Sequence, residues 1–224
     1  MLKIENFEVL GWEHAIRGMR NPMNSWEKSD SVFTPHELED WPHNTIKTFD
    51  DLGPNDLDLM MRLRTAGTDH RKFMRMITVY LDITAPLYWW KEFDTYKVGT
   101  VANSCSTMHK IAAKEFTLED FSCEHLTVES ITFGLEPVID ILNKNRELYI
   151  QWENAGEEKK NLWWQMIQLL PSSYNQKRTV MLNYEVLANI YKSRRHHRLD
   201  EWHTLCDWIS ELPYSELITG EEYE

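Results

Sequence analysis

Cysteine is scarce: Cys105, Cys123 and Cys206 are the only three, none stands in a CxxC pair, and the count is odd. This argues against a zinc ribbon and a disulfide framework, so all three are expected to be reduced thiols. No apolar run approaches the roughly 20 residues a helix needs to span a bilayer. The opening residues, MLKIENFEVL, lack the basic and apolar regions of a secretory signal. A soluble, cytoplasmic protein that does not engage a membrane is therefore expected. Basic residues are in deficit, 24 Lys and Arg against 36 Asp and Glu, and the net charge of -12 repels phosphate backbones. Bulk nucleic-acid binding is disfavoured, whereas a pocket for one nucleotide is not. GxGxxG, GxxxxGK and GxSxG are absent, which removes the ordinary dinucleotide-fold, phosphate-loop and hydrolase signals.

What is present is material for a core. Of 224 residues 42% are hydrophobic, including 10 Trp, 9 Tyr and 8 Phe, so a folded chain is expected, with one domain over residues 1–219 and an acidic tail over 220–224. Leu2 to Trp12 has the mixed pattern of a strand, and Glu13 to Arg20 reads as a short helix stopped by Asn21 and Pro22. Asn24 to Pro54, with Pro35, Pro42 and Gly53, reads as mostly loop. Asn55 to Ala66 reads as a helix closed by Gly67, Ile77 to Ile83 as a strand, and Leu87 to Thr95 as an aromatic-rich helix after Pro86. Further on, Ile131 to Asn154, Glu157 to Leu169, Thr179 to Arg195 and Leu199 to Leu212 carry apolar residues near a 3.6-residue period.

Two stretches concentrate chemistry. The first runs from DHRKFMRM (residues 69–76) to APLYWWKEFDTYKVGTVANSCS (85–106), where Lys91 and Lys97 stand among Tyr96, Thr100, Asn103, Ser104 and Ser106. Such a mixture suits phosphate oxygens and base edges, and it equally suits a solvated loop. The second, residues 170–203, holds the dense basic cluster of Arg178, Arg194, Arg195, His196, His197 and Arg198. In an acidic chain this would focus a small anion, or it would simply complement a helix C-terminus. His197, Glu201 and His203 have no HExxH spacing, so no metal site is assigned. The pairs Trp89/Trp90 and Trp163/Trp164 read as core or subunit-interface anchors.

The order of these stretches resembles the flavin-dependent thymidylate synthases. In that family a GHxSxxEH segment leads through a strand and an AP-containing turn to a helix and the motif RHRxxSxNExSxRY. DHRKFMRM is similar to the first segment and keeps its histidine as His70. Lys91 and Glu92 stand where the family often has Arg and Gln. Thr95, Tyr96 and Lys97 fall on the RHR triplet and Thr100 on the first serine. One extra residue then sets Asn103 on the asparagine, Ser104 on the glutamate and Ser106 on the next serine, while Met108 and His109 replace RY. Leu170 and Pro171 match an LP dipeptide. Asn183, Leu187, Ile190 and Arg194 then follow the helix pattern NxRxLxxFxxxR, with Glu185 in place of its arginine, and His197 and Glu201 match a short HxxxE element. Ile167 occupies the place of an arginine before LP.

The resemblance implies an α+β fold with helices around a small, mostly antiparallel sheet and a helical C-terminal half. It implies an enzyme that methylates dUMP to dTMP in a homotetramer, with FAD as cofactor and NADPH and methylenetetrahydrofolate as co-substrates. Ser106 and Arg194 would then be catalytic. His70, Tyr96, Lys97, Thr100, Asn103, Asn183 and His197 would hold the flavin, and Lys91, Glu92, Ser104, Arg178 and Arg198 the pyrimidine deoxynucleotide. The different class left open is a noncatalytic nucleotide-binding or interaction module on the same fold.

Overall fold

The structure, a computed structural model, describes residues 1–37, 45–153 and 156–220. Asn154, residues 221–224 of the acidic tail and part of the expected 24–54 loop lie outside the described residues. In chain order the elements are β1 (Lys3–Leu10), α1 (Trp12–Arg20), β2 (Val32–Glu37), β3 (Thr45–Asp51), α2 (Pro54–Thr65), a 3-10 segment (Arg71–Arg75), β4 (Thr78–Pro86) and α3 (Leu87–Phe93). They continue with β5 (Val101–Ser104), α4 (Thr107–Lys110), α5 (Val128–Ser130), a π-turn (Ile131–Leu135), α6 (Glu136–Gln151), α7 (Glu157–Leu169), β6 (Asn175–Asn183), α8 (Tyr184–Arg194), α9 (Asp200–Ser210) and α10 (Glu216–Thr219). The larger sheet has the order β1-β4-β6-β5, and β2 pairs with β3 antiparallel, setting Phe33 opposite Phe49.

Two expectations are corrected. The Asn24–Pro54 stretch is not mostly loop, since its described part holds β2 and β3. Pro35 obscures the first of these, yet an edge strand tolerates a missing N–H. The helix expected over Thr179–Arg195 starts only at Tyr184, because Lys177 to Asn183 belongs to β6. There Gln176, Val180 and Leu182 are buried while Lys177 and Thr179 are not, a mainly two-residue alternation that the apolar run VML hides. Asn183 marks the change, its side chain accepting the Val186 N–H at 3.1 Å as an N-cap. β5 was not foreseen either, its four residues all being exposed.

The chain divides into two compact units. The first comprises Met1–Asn6, Leu81–Lys97 and Ala102–Val180. Its π-turn, α6 and α7 bury Leu135, Ile139, Leu142 and Met166 in a cluster with Ile111, Phe116 and Phe121. Trp89, Trp90 and Phe93 form a second group with ring centroids 4.9–5.3 Å apart, as their helical spacing directs. Truncating one such ring costs about 3–5 kcal/mol. Trp89 and Trp90 are thus core, whereas Trp164 is exposed.

The second unit comprises Phe7–Tyr80, Val98–Val101 and the chain from Met181 onward. Trp12 stacks on Phe49 at 4.9 Å and meets Tyr184 edge-on at 5.5 Å. Gly11, between β1 and α1, has φ +97°, and a Cβ there would lie 2.0 Å from the Met76 carbonyl oxygen, so only glycine fits the turn. Arg20 and Asp56 form a buried ion pair at 2.6 Å.

Candidate functional site

A cavity of about 740 Å³ lies wholly in the first unit. Alternation places its walls. β4 buries Val79, Leu81, Ile83 and Ala85, which leaves Asp82 and Thr84 on the opposite face, and β6 presents Asn175 and Lys177. Cys105, Ser106, Thr107 and Lys110 enter from the end of β5 and from α4, followed by Ile111, Lys114, Phe116, Glu119 and Asp120. Gln176 fixes that wall, its amide donating to the Cys105 carbonyl at 3.0 Å and to Thr107 Oγ1 at 3.1 Å, while its oxygen accepts from Arg178 Nε at 3.0 Å. Ser106 caps α4 by accepting the His109 N–H at 3.1 Å.

The cavity is locally cationic in an acidic chain. Lys3, Lys110, Lys114 and Lys177 line it against two carboxylates, Glu119 and Asp120. Lys177 Nζ lies 3.1 Å from Asp82 and 3.7 Å from Glu5, and Lys114 pairs with Asp120. Hydrogen bonds from Thr179, Asn6 and Lys177 hold the Asp82 carboxyl down at about 2, so it stays ionised. No described residue pairs with the Lys110 side chain. Burial, with the negative Asp120 beside it, pushes the Tyr174 phenol up, and it remains a protonated donor at neutral pH. Amines, a phenol and hydroxyls beside the apolar Ile111 and Phe116 suit an anion that carries a ring.

Of the site residues expected from the sequence, Ser106 alone lines this cavity. Lys91, Lys97, Asn103 and Ser104 are exposed elsewhere in the first unit, and Glu92 and Tyr96 are half-buried there. Thr95 donates to the Glu92 carbonyl at 2.7 Å, and Tyr96 leans on Phe93 at 6.4 Å. Arg178 is engaged: it donates to Asp94 at 2.7 Å and covers the Trp90 ring at 4.1 Å. Sequence reasoning missed Lys3, Lys110, Lys114, Lys177 and Tyr174. Lys3 and Lys177 were within reach through the strand patterns of KIENFEVL and QKRTVMLN, but Lys110 ends a four-residue helix and Lys114 and Tyr174 sit between elements, where no periodicity marks them.

The second unit holds His70, Thr100, Asn183, Arg194, His197 and Arg198. Arg194 lies 4.6 Å over the Trp202 ring, and His197 meets the same ring edge-on at 6.2 Å. His197 Nδ1 accepts the Leu199 N–H at 3.2 Å. With Arg195, His196 and His203 it borders a cleft of about 610 Å³. Arg198 and His70 are exposed. Gly99, at φ +79°, brings the backbone so close to α8 that a Cβ would lie 3.0 Å from Asn183 Nδ2, and the adjacent Thr100 Oγ1 is buried without a hydrogen-bond partner. Among the described residues no three His, Cys, Asp or Glu side chains are grouped to hold a metal.

Two solved structures of thymidylate synthase X from Helicobacter pylori, both containing FAD and dUMP, superpose on the chain with TM-scores of 0.66 and 0.62. Each is 14% identical and covers 98% of both chains. The chain shares their fold. That fold is α+β, with helices packed around a small sheet, as the motif order implied. No family model matches the sequence, and no curated protein matches it. Among the described residues no helix is long and apolar enough to cross a membrane.

Proposed function

We propose that this chain binds FAD and a pyrimidine deoxynucleotide, and that it is an enzyme of the thymidylate synthase X type, methylating dUMP with methylenetetrahydrofolate as carbon donor and NADPH as reductant. The observation that carries the reading is the cationic cavity, in whose wall stands Ser106, the residue that falls on a motif serine. Shared fold with FAD- and dUMP-containing structures supports the same assignment. Lys110 and Lys177 would meet the nucleotide phosphate, Tyr174 would donate to a base or sugar oxygen, and Ser106 would stand beside the base. The buried Thr100 hydroxyl, without a partner, fits a polar group of a flavin dinucleotide. Bound FAD would supply the hydride chemistry, the protein supplying orientation and charge. Exposed Phe133 and Val128, at 80% and 76%, support self-association into the tetramer. Residues 1–219 are taken as one functional domain.

A second reading, a noncatalytic nucleotide-binding or interaction module, is favoured by the RHR positions. Thr95 and Tyr96 turn to their own helix, and Lys97 alone keeps a charge there. The test is the visible spectrum of protein incubated with FAD and dUMP and freed of excess ligand, together with calorimetric titration of dUMP into wild type and Lys110→Ala. A retained flavin band and roughly tenfold weaker dUMP binding by the variant, the loss of one charge-assisted contact, are expected. A colourless protein with unchanged dUMP affinity in the variant would overturn the assignment.

A further inference from the structure

The second residue of α8, Glu185, is a buried carboxylate held by two arginines of the 3-10 segment. Arg71 Nε lies 3.3 Å from Oε1, Arg75 lies 3.2 Å from Oε1, and Arg75 also grips Oε2 through Nε. Arg71 reaches one turn further to Asn189 Oδ1 at 3.4 Å. The Glu185 side chain is 12% exposed and that of Arg75 53%, so the carboxylate is inside and the guanidinium faces solvent. The group of three carries one net positive charge.

Sequence positions give this contact its meaning. With His70 in register, DHRKFMRM laid on GHxSxxEH sets Arg75 on the motif glutamate. In the α8 pattern NxRxLxxFxxxR, Glu185 stands on the arginine. Two departures of opposite sign therefore fall on two residues that touch. A single change to Glu185 would bury an uncompensated carboxylate, and Arg75 removes that cost. The same turn of α8 receives Gly99 and carries the Asn183 cap, next to the unpartnered Thr100 hydroxyl.

We propose that the polarity of this pair is inverted, and that Arg75, positioned by Glu185, is the cation this corner offers to a phosphate or pyrophosphate group. Arginine suits the task, since its five donors allow two to hold Glu185 while the rest meet an oxyanion. The assignment of FAD as the source of that group rests on the reading above; the anion contact itself does not.

The test pairs two measurements on the full chain. Thermal unfolding without ligand compares wild type, Arg75→Glu, Glu185→Arg and the double exchange. Both single variants are expected to melt earlier, through like charges in contact, and the double exchange to recover most of the loss. Equilibrium dialysis with inorganic pyrophosphate, and separately with FAD, compares wild type with Arg75→Ala and Arg75→Lys. Roughly tenfold weaker pyrophosphate binding by Arg75→Ala, with partial rescue by lysine, is expected for one lost charge-assisted contact. Failure of the double exchange to recover would overturn the inversion. Wild type and Arg75→Ala with the same pyrophosphate affinity, or with none, would overturn the anion contact. Wild type that binds pyrophosphate through Arg75 but does not bind FAD would sink the flavin reading and leave this one standing.

Discussion

In the second unit arginines hold carboxylates that are buried or nearly so, Arg20 on Asp56 and Arg71 and Arg75 on Glu185, whereas in the first unit four lysines line one cavity, Lys3, Lys114 and Lys177 on more exposed carboxylates and Lys110 on none among the described residues. Side-chain chemistry explains the division. The planar guanidinium holds a carboxylate in a fixed geometry with little further loss of freedom, and it is weakly hydrated enough to be buried. An ammonium on a flexible stem stays hydrated until a ligand replaces the water. Loss of a buried carboxylate in the second unit is therefore expected to act first on stability, and loss of a cavity lysine in the first unit on affinity.

The sharpest way to break that contrast is Asp56→Ala. Asp56 is fully buried and Arg20 is 4% exposed. The carboxylate accepts from Arg20 at 2.6 Å and from the Ser29 and Ser31 hydroxyls at 2.7 Å each. Removing it leaves a buried guanidinium without its counter-charge, a loss of about 3–5 kcal/mol. Urea unfolding measures it. A loss below about 1 kcal/mol, the level of a surface pair, would mean that these arginines do not support the fold. Lys110→Ala is the counterpart and is expected to leave the unfolding midpoint unchanged.

Next in size is a pH effect at Glu185. Burial opposes its ionisation, yet hydrogen bonds and charge from Arg75 and Arg71 outweigh burial and hold the carboxyl below its usual range. A folded value below the unfolded one stabilises the protein fully above the ordinary glutamate range near ~4.3, and the contribution disappears as pH falls through the folded value. Glu185→Gln is therefore expected to be less stable than wild type at neutral pH and to converge with it on acidification. A stability gap that is constant from neutral pH to below the glutamate range would show that the carboxylate charge contributes nothing.

Single elements and the site they build differed in how far they could be read from sequence. Glu157 to Leu169 is a helix with the expected ends, and Gly67 closes α2 as its position implied. Local periodicity and punctuation suffice for such elements. The cavity was not legible, because Thr84, Lys110, Tyr174 and Lys177 converge from separate elements and share no motif. β6 was hidden for a related reason: its apolar run Val180 to Leu182 satisfies both periods, and only the Asn183 cap shows where the strand yields to the helix. Glu185 was noticed as a departure from the family pattern, but that its charge is answered by Arg75 required the fold.

The smallest effect expected is on thiol reactivity, which reports on both regions at once. Cys105 is exposed in the cavity wall, Cys123 is half-buried and Cys206 is buried on α9. Burial, with Asp207 adding to it, pushes the Cys206 thiol up to about 11, so little thiolate forms there at mildly alkaline pH. Because the thiolate is the reactive form, alkylation followed by peptide mass spectrometry is expected to modify Cys105 first, Cys123 next and Cys206 last. Saturating dUMP is expected to slow Cys105 a few-fold and to leave Cys206 alone, since the nucleotide would occupy the cavity that Cys105 borders. Equal rates at Cys105 with and without dUMP would place the nucleotide elsewhere, and early modification of Cys206 would mean that the second unit opens in solution more readily than its buried pairs imply.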